Sequence, residues 1–309
     1  MDKLSRTIQR FQAKIDSGSF YEAHQTLRTI TNRYVKSKQY KEARDLLYQG
    51  TTILIKNKEY ASASDLINYL INIYEEEQIT IEDKDSKFRL IELIEKLPNN
   101  DPSLNDLAKN SISWSTKNNS ICNKFGDPDL HHLFGSKFLE TDDSIDEENK
   151  VKVFAIAELH LVLGTSQSIP LYINYLIRCS KANSDVDPGV FLSRAIINYS
   201  YLKNINFVKE SQELFLKSVE GGEEMGSIRF FEQFPLLNFL QLLVLTLQVE
   251  PSTNSAKFTK LYSQYKSILE KYEILSSIEY LGSLYFNLKI GNQNQQSNML
   301  ANFMSGLFK

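Results

Sequence analysis

Three stretches of sequence, spaced twenty residues apart, decide the fold. Residues 18–27 read GSFYEAHQTL, residues 38–47 read KQYKEARDLL and residues 58–67 read KEYASASDLI. In each stretch an aromatic residue is followed after three positions by Ala and after seven by Leu or Ile. Because spacings of three and four residues place side chains on one face of an α-helix, each stretch predicts a helix. The small Ala would let a neighbouring backbone approach closely.

A polar break precedes each stretch, so each is interpreted as one helix followed by a short turn. Helices joined by short loops run antiparallel to their neighbours. A fixed repeat of this kind predicts stacked helical hairpins, in which no unit buries its apolar face alone. The predicted fold class is therefore all-α, an α-solenoid of stacked antiparallel helix pairs that resembles TPR arrays. Three similar helices in an ordinary bundle are the alternative.

The remaining sequence is also predicted to be largely helical. Seven prolines and twelve glycines are few for 309 residues, and Asp127 before Pro128 has the pattern of a helix N-terminus. Further helices are expected at about 2–15, 83–97, 103–114, 128 onward, 151–163, 169–180, 189–202, 205–219, 236–249, 255–269 and 274–288. Residues 225–234 differ, because Gly226 interrupts them and residues such as Ile228 favour extended structure. We expect a small β-hairpin or an ordered extended loop there.

The chain is expected to comprise two halves of one array and a tail. The acidic segment 140–148 marks the change between an N-terminal half, residues 1–148, and a C-terminal half, residues 149–290. Residues 291–309 are rich in Asn and Gln before a final apolar run, and they are predicted to form a flexible tail.

Charge is unevenly distributed along the N-terminal half. Residues 1–48 hold ten basic and five acidic side chains, a net charge of +5, whereas residues 49–101 hold six basic and eleven acidic, a net charge of −5. A basic surface beside an acidic one suits a protein partner of the opposite pattern better than nucleic acid, which the acidic part would repel.

Composition points to a cytosolic protein with reduced thiols. The two cysteines, Cys122 and Cys179, form no CxxC motif. The N-terminus lacks the apolar core of a signal peptide. The most apolar run, residues 236–249, is too short and too polar to cross a bilayer, and it is interpreted as a buried helix.

The sequence contains no recognisable catalytic constellation. His131 and His132 are adjacent, so on a helix they point about 100° apart and do not have the i, i+4 spacing of helical zinc sites. His24 lies within the first repeat beside Ala23, where a role in helix packing or on the surface is expected. The phosphate-binding motifs GxxxxGK[ST] and GxGxxG are absent, and so is the GxSxG motif of a catalytic serine. We expect no enzymatic activity, no metal and no cofactor.

Specific residues also suggest a family. The run FYEAHQTLR at residues 20–28 resembles the YEAHQ-containing helix of the fourth factor of the guided-entry-of-tail-anchored-proteins pathway, a subunit of the transmembrane-domain recognition complex in animals. Residues 42–46 and the segment FGDPDLH at residues 125–131 are similar to the same family, as, more weakly, is FMSGL at residues 303–307.

The resemblance implies a non-enzymatic cytosolic adaptor with two kinds of partner. The C-terminal half would hold a ubiquitin-like-domain protein, and the N-terminal half would hold the dimeric ATPase that targets tail-anchored membrane proteins to the endoplasmic reticulum. Through a TPR co-chaperone that hands over the client, such an adaptor would promote loading of the hydrophobic tail onto the nucleotide-bound ATPase. The resemblance implies neither nucleic-acid binding nor direct membrane insertion.

The resemblance also implies candidate contact residues. Those expected to face the ATPase are Arg10, Lys14, Tyr21 and Arg28, together with the acidic residues Asp65, Glu75, Glu76 and Glu77. The polar Asn72 puts an acidic contact at its own position in doubt.

A groove for the ubiquitin-like partner would be lined by Phe230, Phe231, Phe234, Phe239 and Leu243. For Phe239 and Leu243 a place in the core is an equally good interpretation. An amphipathic helix in such a groove would be held mainly by buried apolar area. Arg6, Arg10 and Lys14 recur every fourth residue of the first helix and form a basic row, which would act more on association rate.

Two other functions are compatible with parts of the sequence. The repeats alone would permit a structural subunit of a larger helical-repeat assembly, such as a proteasome lid or a coat scaffold. An RNA-binding repeat would need a recurring base-reading pair on one face, and Glu22, Glu42 and Ser62 do not supply one.

Overall fold

Helices dominate the chain, as the repeat predicts. The computed structural model describes residues 3–117, 124–140, 147–248 and 251–291. Eight helices come first: α1 Lys3–Asp16, α2 Phe20–Lys36, α3 Tyr40–Lys56, α4 Tyr60–Glu76, α5 Lys84–Glu95, α6 Leu104–Thr116, α7 Pro128–Leu139 and α8 Glu147–Leu163. The later elements are α9 Ser168–Ala182, α10 Gly189–Tyr201, α11 Ile205–Leu216, β1 Glu223–Met225, β2 Ile228–Phe230, α12 Pro235–Leu247, α13 Pro251–Lys271 and α14 Leu275–Phe286. The all-α solenoid with one small hairpin is confirmed.

Three equivalent turns set the repeat of α1 to α4. Gly18, Lys38 and Lys58 have φ values of +77°, +57° and +62°. In each turn the next residue donates its N–H to a carbonyl five residues back, at 2.9, 2.9 and 3.0 Å. This is the left-handed C-terminal cap that ends many helices. The chain therefore reverses after three residues, and consecutive helices run antiparallel.

The repeated apolar positions lie in the core. The three alanines at positions 23, 43 and 63 are fully buried. The aliphatic residues at 27, 47 and 67 are at most 1% exposed, and the aromatic residues at 20, 40 and 60 are partly buried against the same core. The side-chain periodicity of the sequence is therefore the periodicity of the packing.

The chain divides into two compact units, Met1–Gly164 and Thr165–Lys309. In the first unit each helix from α1 to α4 packs against the next helix, and each from α1 to α5 packs against the next but one, which builds two layers. The expected boundary between the N-terminal and C-terminal halves, at residue 148, falls near the beginning of α8. Since α8 packs along α7, it belongs with the first unit.

The second unit has its own core around α10 and α12. Helix α10 packs against α9, α11, α12 and α14, and α12 also packs against α13 and β2. The side chain of Asp187 accepts hydrogen bonds from the backbone N–H groups of Gly189 and Leu236, both at 2.8 Å. One carboxylate thereby caps the beginning of α10 and joins it to the beginning of α12.

The most apolar predicted segment is a buried helix. Helix α12 places ten of its thirteen side chains in the core. In the part of the chain that the structure describes, no helix combines the length and apolarity needed to cross a membrane. Cys122 and residues 292–309 of the predicted tail lie outside the described residues.

Candidate functional site

The candidate site lies on the outer ridge of α2. Tyr21, Gln25, Arg28 and Asn32 fall within an arc of about 60° on a helix that turns 100° per residue. Tyr21 is 75% exposed, Gln25 and Asn32 are exposed, and Arg28 is half-buried. The repeat that buries the opposite side of α2 therefore presents these four side chains to solvent. We call them the α2 ridge.

The α2 ridge is tied to α4 by a charged cluster. The Arg28 guanidinium donates to both carboxylate oxygens of Asp65, and Nε2 of His24 lies 2.7 Å from Oδ2 of Asp65. Burial alone would raise the pKa of Asp65, but hydrogen bonds from Arg28 and His24 outweigh burial and hold that pKa below its usual value. Arg28 and Asp65, predicted as separate contacts for a partner, are thus each other's partner.

An open groove of about 380 Å³ lies beside this cluster. It is lined by Gln25, Arg28, Thr29, Asn32 and Tyr69. The Arg28 guanidinium lies 5.3 Å from the centre of the Tyr69 ring. Burial raises the pKa of Tyr69, so its hydroxyl is a donor at neutral pH. The groove offers amide, hydroxyl and guanidinium groups and suits a polar protein surface.

The basic row of α1 contacts α2 through Lys14. Arg10 is exposed. The Lys14 ammonium lies 3.5 Å from the Glu22 carboxylate and 3.3 Å from the Thr26 hydroxyl of α2. Three of the predicted ATPase contacts, Arg10, Lys14 and Tyr21, therefore lie on α1 and α2, and Lys14 places a positive charge against α2.

The predicted acidic contacts at the end of α4 have partners within the chain. Glu75 forms an ion pair of 2.7 Å with Lys117, which follows α6, and Glu76 accepts a hydrogen bond of 3.0 Å from the Tyr40 hydroxyl. Asn72, a polar residue one turn before this acidic run, is exposed. The acidic run thus contributes to packing between helices of the first unit, and any role in partner binding stays a prediction.

The five predicted groove residues of the second unit differ in exposure. Phe239 and Leu243 are fully buried, which supports their alternative interpretation as core. Phe231 is 4% exposed and its ring lies 6.0 Å from that of Phe234. Phe230 and Phe234 are partly buried, so these two present the most surface to a partner.

The segment FGDPDLH has a structural explanation at the beginning of α7. Gly126 has a φ of +97°, and a Cβ atom there would lie 2.8 Å from the Ser115 hydroxyl. The Asp127 carboxylate caps α7, as predicted, by accepting hydrogen bonds from two backbone N–H groups. Nε2 of His131 donates to the Phe125 carbonyl at 2.7 Å. Gly126, Asp127 and His131 thus each stabilise the junction of α6 and α7.

The histidines and the described cysteine do not converge on a metal site. Among the residues whose placement is described, no group of three or more His, Cys, Asp or Glu is arranged to hold a metal ion. His24 is 9% exposed and serves packing, as expected. Cys179 is a free thiol.

Several residues of the site were missed by the sequence interpretation. Gln25, Asn32 and Tyr69 line the groove, and His24 bonds Asp65, yet none was predicted as a contact. The spacing of four, three and four residues along the α2 ridge is a signal that could have found the first two. The contribution of Tyr69 depends on how α4 packs against α2 and has no local signal.

Comparison with known proteins gives one consistent result. The family model described as "GET4: Golgi to ER traffic protein 4" matches residues 37–308. The chain is 30% identical to Golgi to ER traffic protein 4 of Aspergillus fumigatus, over 98% of this chain and 90% of the relative, and 28% identical to that of Schizosaccharomyces pombe, over 93% and 90%. The crystal structure of C. therm. Get4 matches with a TM-score of 0.80 and 25% identity, covering 100% of this chain and 96% of the other. The chain belongs to the family of Golgi to ER traffic protein 4.

Proposed function

We propose that this chain is a non-enzymatic cytosolic adaptor in the post-translational targeting of tail-anchored membrane proteins to the endoplasmic reticulum. It bridges a ubiquitin-like-domain protein, and through that protein a TPR co-chaperone, to the dimeric targeting ATPase. The bridge promotes loading of the client. The observation that carries the proposal is family membership over residues 37–308, because the family name itself refers to traffic to this compartment.

The first unit is proposed to bind the ATPase through the α2 ridge and the basic row of α1. Three features support this assignment: the 75% exposure of Tyr21, the exposed Arg10 on α1, and the open polar groove next to Arg28. An exposed aromatic ring bordered by cations is a favourable centre for an interface, since Tyr and Arg dominate binding energy at such surfaces. The cations would also accelerate association with an acidic partner surface.

The second unit is proposed to hold the ubiquitin-like partner. The hairpin and the partly buried Phe230 and Phe234 support this part of the proposal. Phe239 and Leu243 would act there as the core beneath the partner's footprint.

Charge reversal tests the assignment to the first unit. In the full chain, Arg10→Glu together with Lys14→Glu is expected to weaken binding of the nucleotide-bound ATPase by about tenfold or more and to reduce its salt dependence. Helical content and affinity for the ubiquitin-like partner should not change. Lys109→Glu, an exposed charge reversal on α6, is the matched control. Equal ATPase affinity for the double variant and the control would refute the assignment.

A further inference from the structure

The hairpin of the second unit has two edges, and they differ. Glu223 pairs with Phe230, and Met225 with Ile228, across a loop of two residues. Gly226 begins this loop with a φ of +64°, which the first central position of a type II′ turn requires. Successive residues of a strand direct their N–H and C=O groups to opposite sides. Each strand thus uses the backbone groups on one edge to pair within the hairpin, and the backbone groups on its other edge point outward.

Helix α12 saturates the outer edge of β2. The Gln241 side chain accepts from the Arg229 N–H at 2.9 Å and donates to the Arg229 carbonyl at 2.8 Å. Asn238 does the same for Phe231, at 2.9 and 2.7 Å. Two buried amides, three residues apart on α12, thus take the place of a neighbouring strand. We call this pair the amide clasp.

The outer edge of β1 has no such cover. Since Arg229 faces the amide clasp, its pairing partner Glu224 directs its own N–H and C=O away from β2. All three residues of β1 are exposed, and Met225 is 57% exposed. In the described part of the chain, the Glu224 backbone has no hydrogen-bond partner outside the hairpin.

The charge around this edge indicates what would cover it. Glu220, Glu223 and Glu224 are exposed carboxylates on or beside β1, and no ion pair neutralises them within the described residues. The one cation on the hairpin, Arg229, donates to the carbonyl of Leu216, the last residue of α11, and to that of Val219 beyond it. The edge is therefore acidic and open.

The geometry points to strand addition: an extended segment that carries basic side chains pairs with the outer edge of β1 as a third strand. Main-chain bonds to Glu224 supply the register, and the carboxylates select for Lys or Arg. This inference rests on the proposed function, because the segment belongs to the ubiquitin-like partner. Because the amide clasp already orders the hairpin before the partner binds, less conformational entropy is lost on binding.

Proline substitution tests the inference in the full chain. Glu224→Pro removes the one outward N–H while leaving the bonds between β1 and β2 intact, which an edge strand tolerates. Glu224→Ala removes the carboxylate and keeps the N–H. The proline variant is expected to bind the purified ubiquitin-like partner about tenfold more weakly than the alanine variant, the value of one well-formed hydrogen bond. Glu232→Ala, which removes an exposed carboxylate outside β1, is the control and should bind like the unmodified chain.

Amide exchange of the unmodified chain provides a second readout that does not depend on the variant. Partner binding should convert the Glu224 N–H from fast to slow exchange. If the partner binds, and Glu224 stays unprotected with equal affinities for the proline and alanine variants, strand addition is wrong while the adaptor function stands. If the unmodified chain does not bind the partner, the adaptor function and the strand addition both fail.

Discussion

The imidazole rings of His131 and His160 meet inside the first unit, with their Nδ1 atoms 2.9 Å apart. Because the Phe125 carbonyl only accepts, Nε2 of His131 carries its proton and Nδ1 accepts from His160. The rings of Phe134 and Phe138 lie 5.8 Å from that of His160. This contact joins α8 to the FGDPDLH segment, and burial keeps both histidines neutral.

Because of this histidine pair, the free energy of unfolding is predicted to decrease as the pH falls. Burial lowers the pKa of His131 to about 4, despite its bond to Phe125, and lowers the pKa of His160 to about 3. The unfolded chain binds protons from about pH 6.5 downward, so the stabilisation is complete above that pH and is lost as the pH falls towards 4. At pH 5 the loss is about 2 kcal/mol per histidine.

Denaturant unfolding between pH 7 and pH 5 measures this loss. In His160→Asn the pH dependence over this range should become smaller, since His160 no longer takes up a proton on unfolding, whereas His131 and His132, whose pKa values burial also lowers, still do. The same slope in the variant and the unmodified chain would show that the pair does not control the acid sensitivity.

Lys137 is predicted to be a buried structural cation. The residue is 5% exposed. Its ammonium donates to the carbonyls of Glu95 and Leu97 and to the side-chain oxygen of Asn99, at 3.0, 2.7 and 3.1 Å. These bonds satisfy carbonyl groups at the end of α5. Lys137→Met should destabilise the chain by about 2–4 kcal/mol, because it leaves several buried acceptors unsatisfied.

Lys96→Met is the matched control for this prediction. Lys96 is exposed, and its ion pair with Glu92 four residues earlier contributes little. Thermal or denaturant unfolding compares the two. Equal stabilities would mean that water replaces the Lys137 amine at no cost.

The Arg28–Asp65 pair is predicted to couple α2 to α4 modestly. Both side chains are 41% exposed, so solvent screens the interaction, and a double-mutant cycle with alanine should give a coupling energy of about 1 kcal/mol or less. The cycle for Lys14 and Glu22, at 3.5 Å, should give a smaller value. A larger coupling for Lys14 and Glu22 would contradict this ranking.

The amide clasp is predicted to determine the order of the hairpin. Gln241→Met keeps the size of a side chain that is 1% exposed but removes both bonds to Arg229. Amide exchange at Arg229 should become faster by a factor that corresponds to about 1–3 kcal/mol, the cost of leaving buried groups unpaired. Gln248→Met, at the exposed end of α12, is the control. Unchanged exchange at Arg229 would mean that the strand pairing alone orders the hairpin.

Local patterns predicted the helices and part of the site. The buried alanines at 23, 43 and 63 and the cap at Asp127 follow from spacing and residue type, which act within one or two turns of helix. The exposure of Tyr21 follows from the same helical period. These features need no knowledge of the neighbouring chain.

Contacts between distant parts of the chain could not be predicted in this way. Arg28 and Asp65 are 37 residues apart, and whether they attract a partner or each other depends on how α2 packs against α4. Gln241 and Asn238 look like polar interruptions of an apolar helix until β2 is placed beside them. Phe239 and Leu243 are apolar in sequence whether they line a groove or fill a core.

The most direct test of a two-partner adaptor is the mass of the assembly formed from purified components. Sedimentation of the full chain with the ubiquitin-like-domain protein and the nucleotide-bound ATPase should give one complex that contains all three. Tyr21→Ala should release the ATPase and leave the chain bound to the ubiquitin-like protein. Mutually exclusive binding of the two partners, or an ATPase complex unaffected by Tyr21→Ala and by reversal of Arg10 and Lys14, would contradict the adaptor with its first unit on the ATPase.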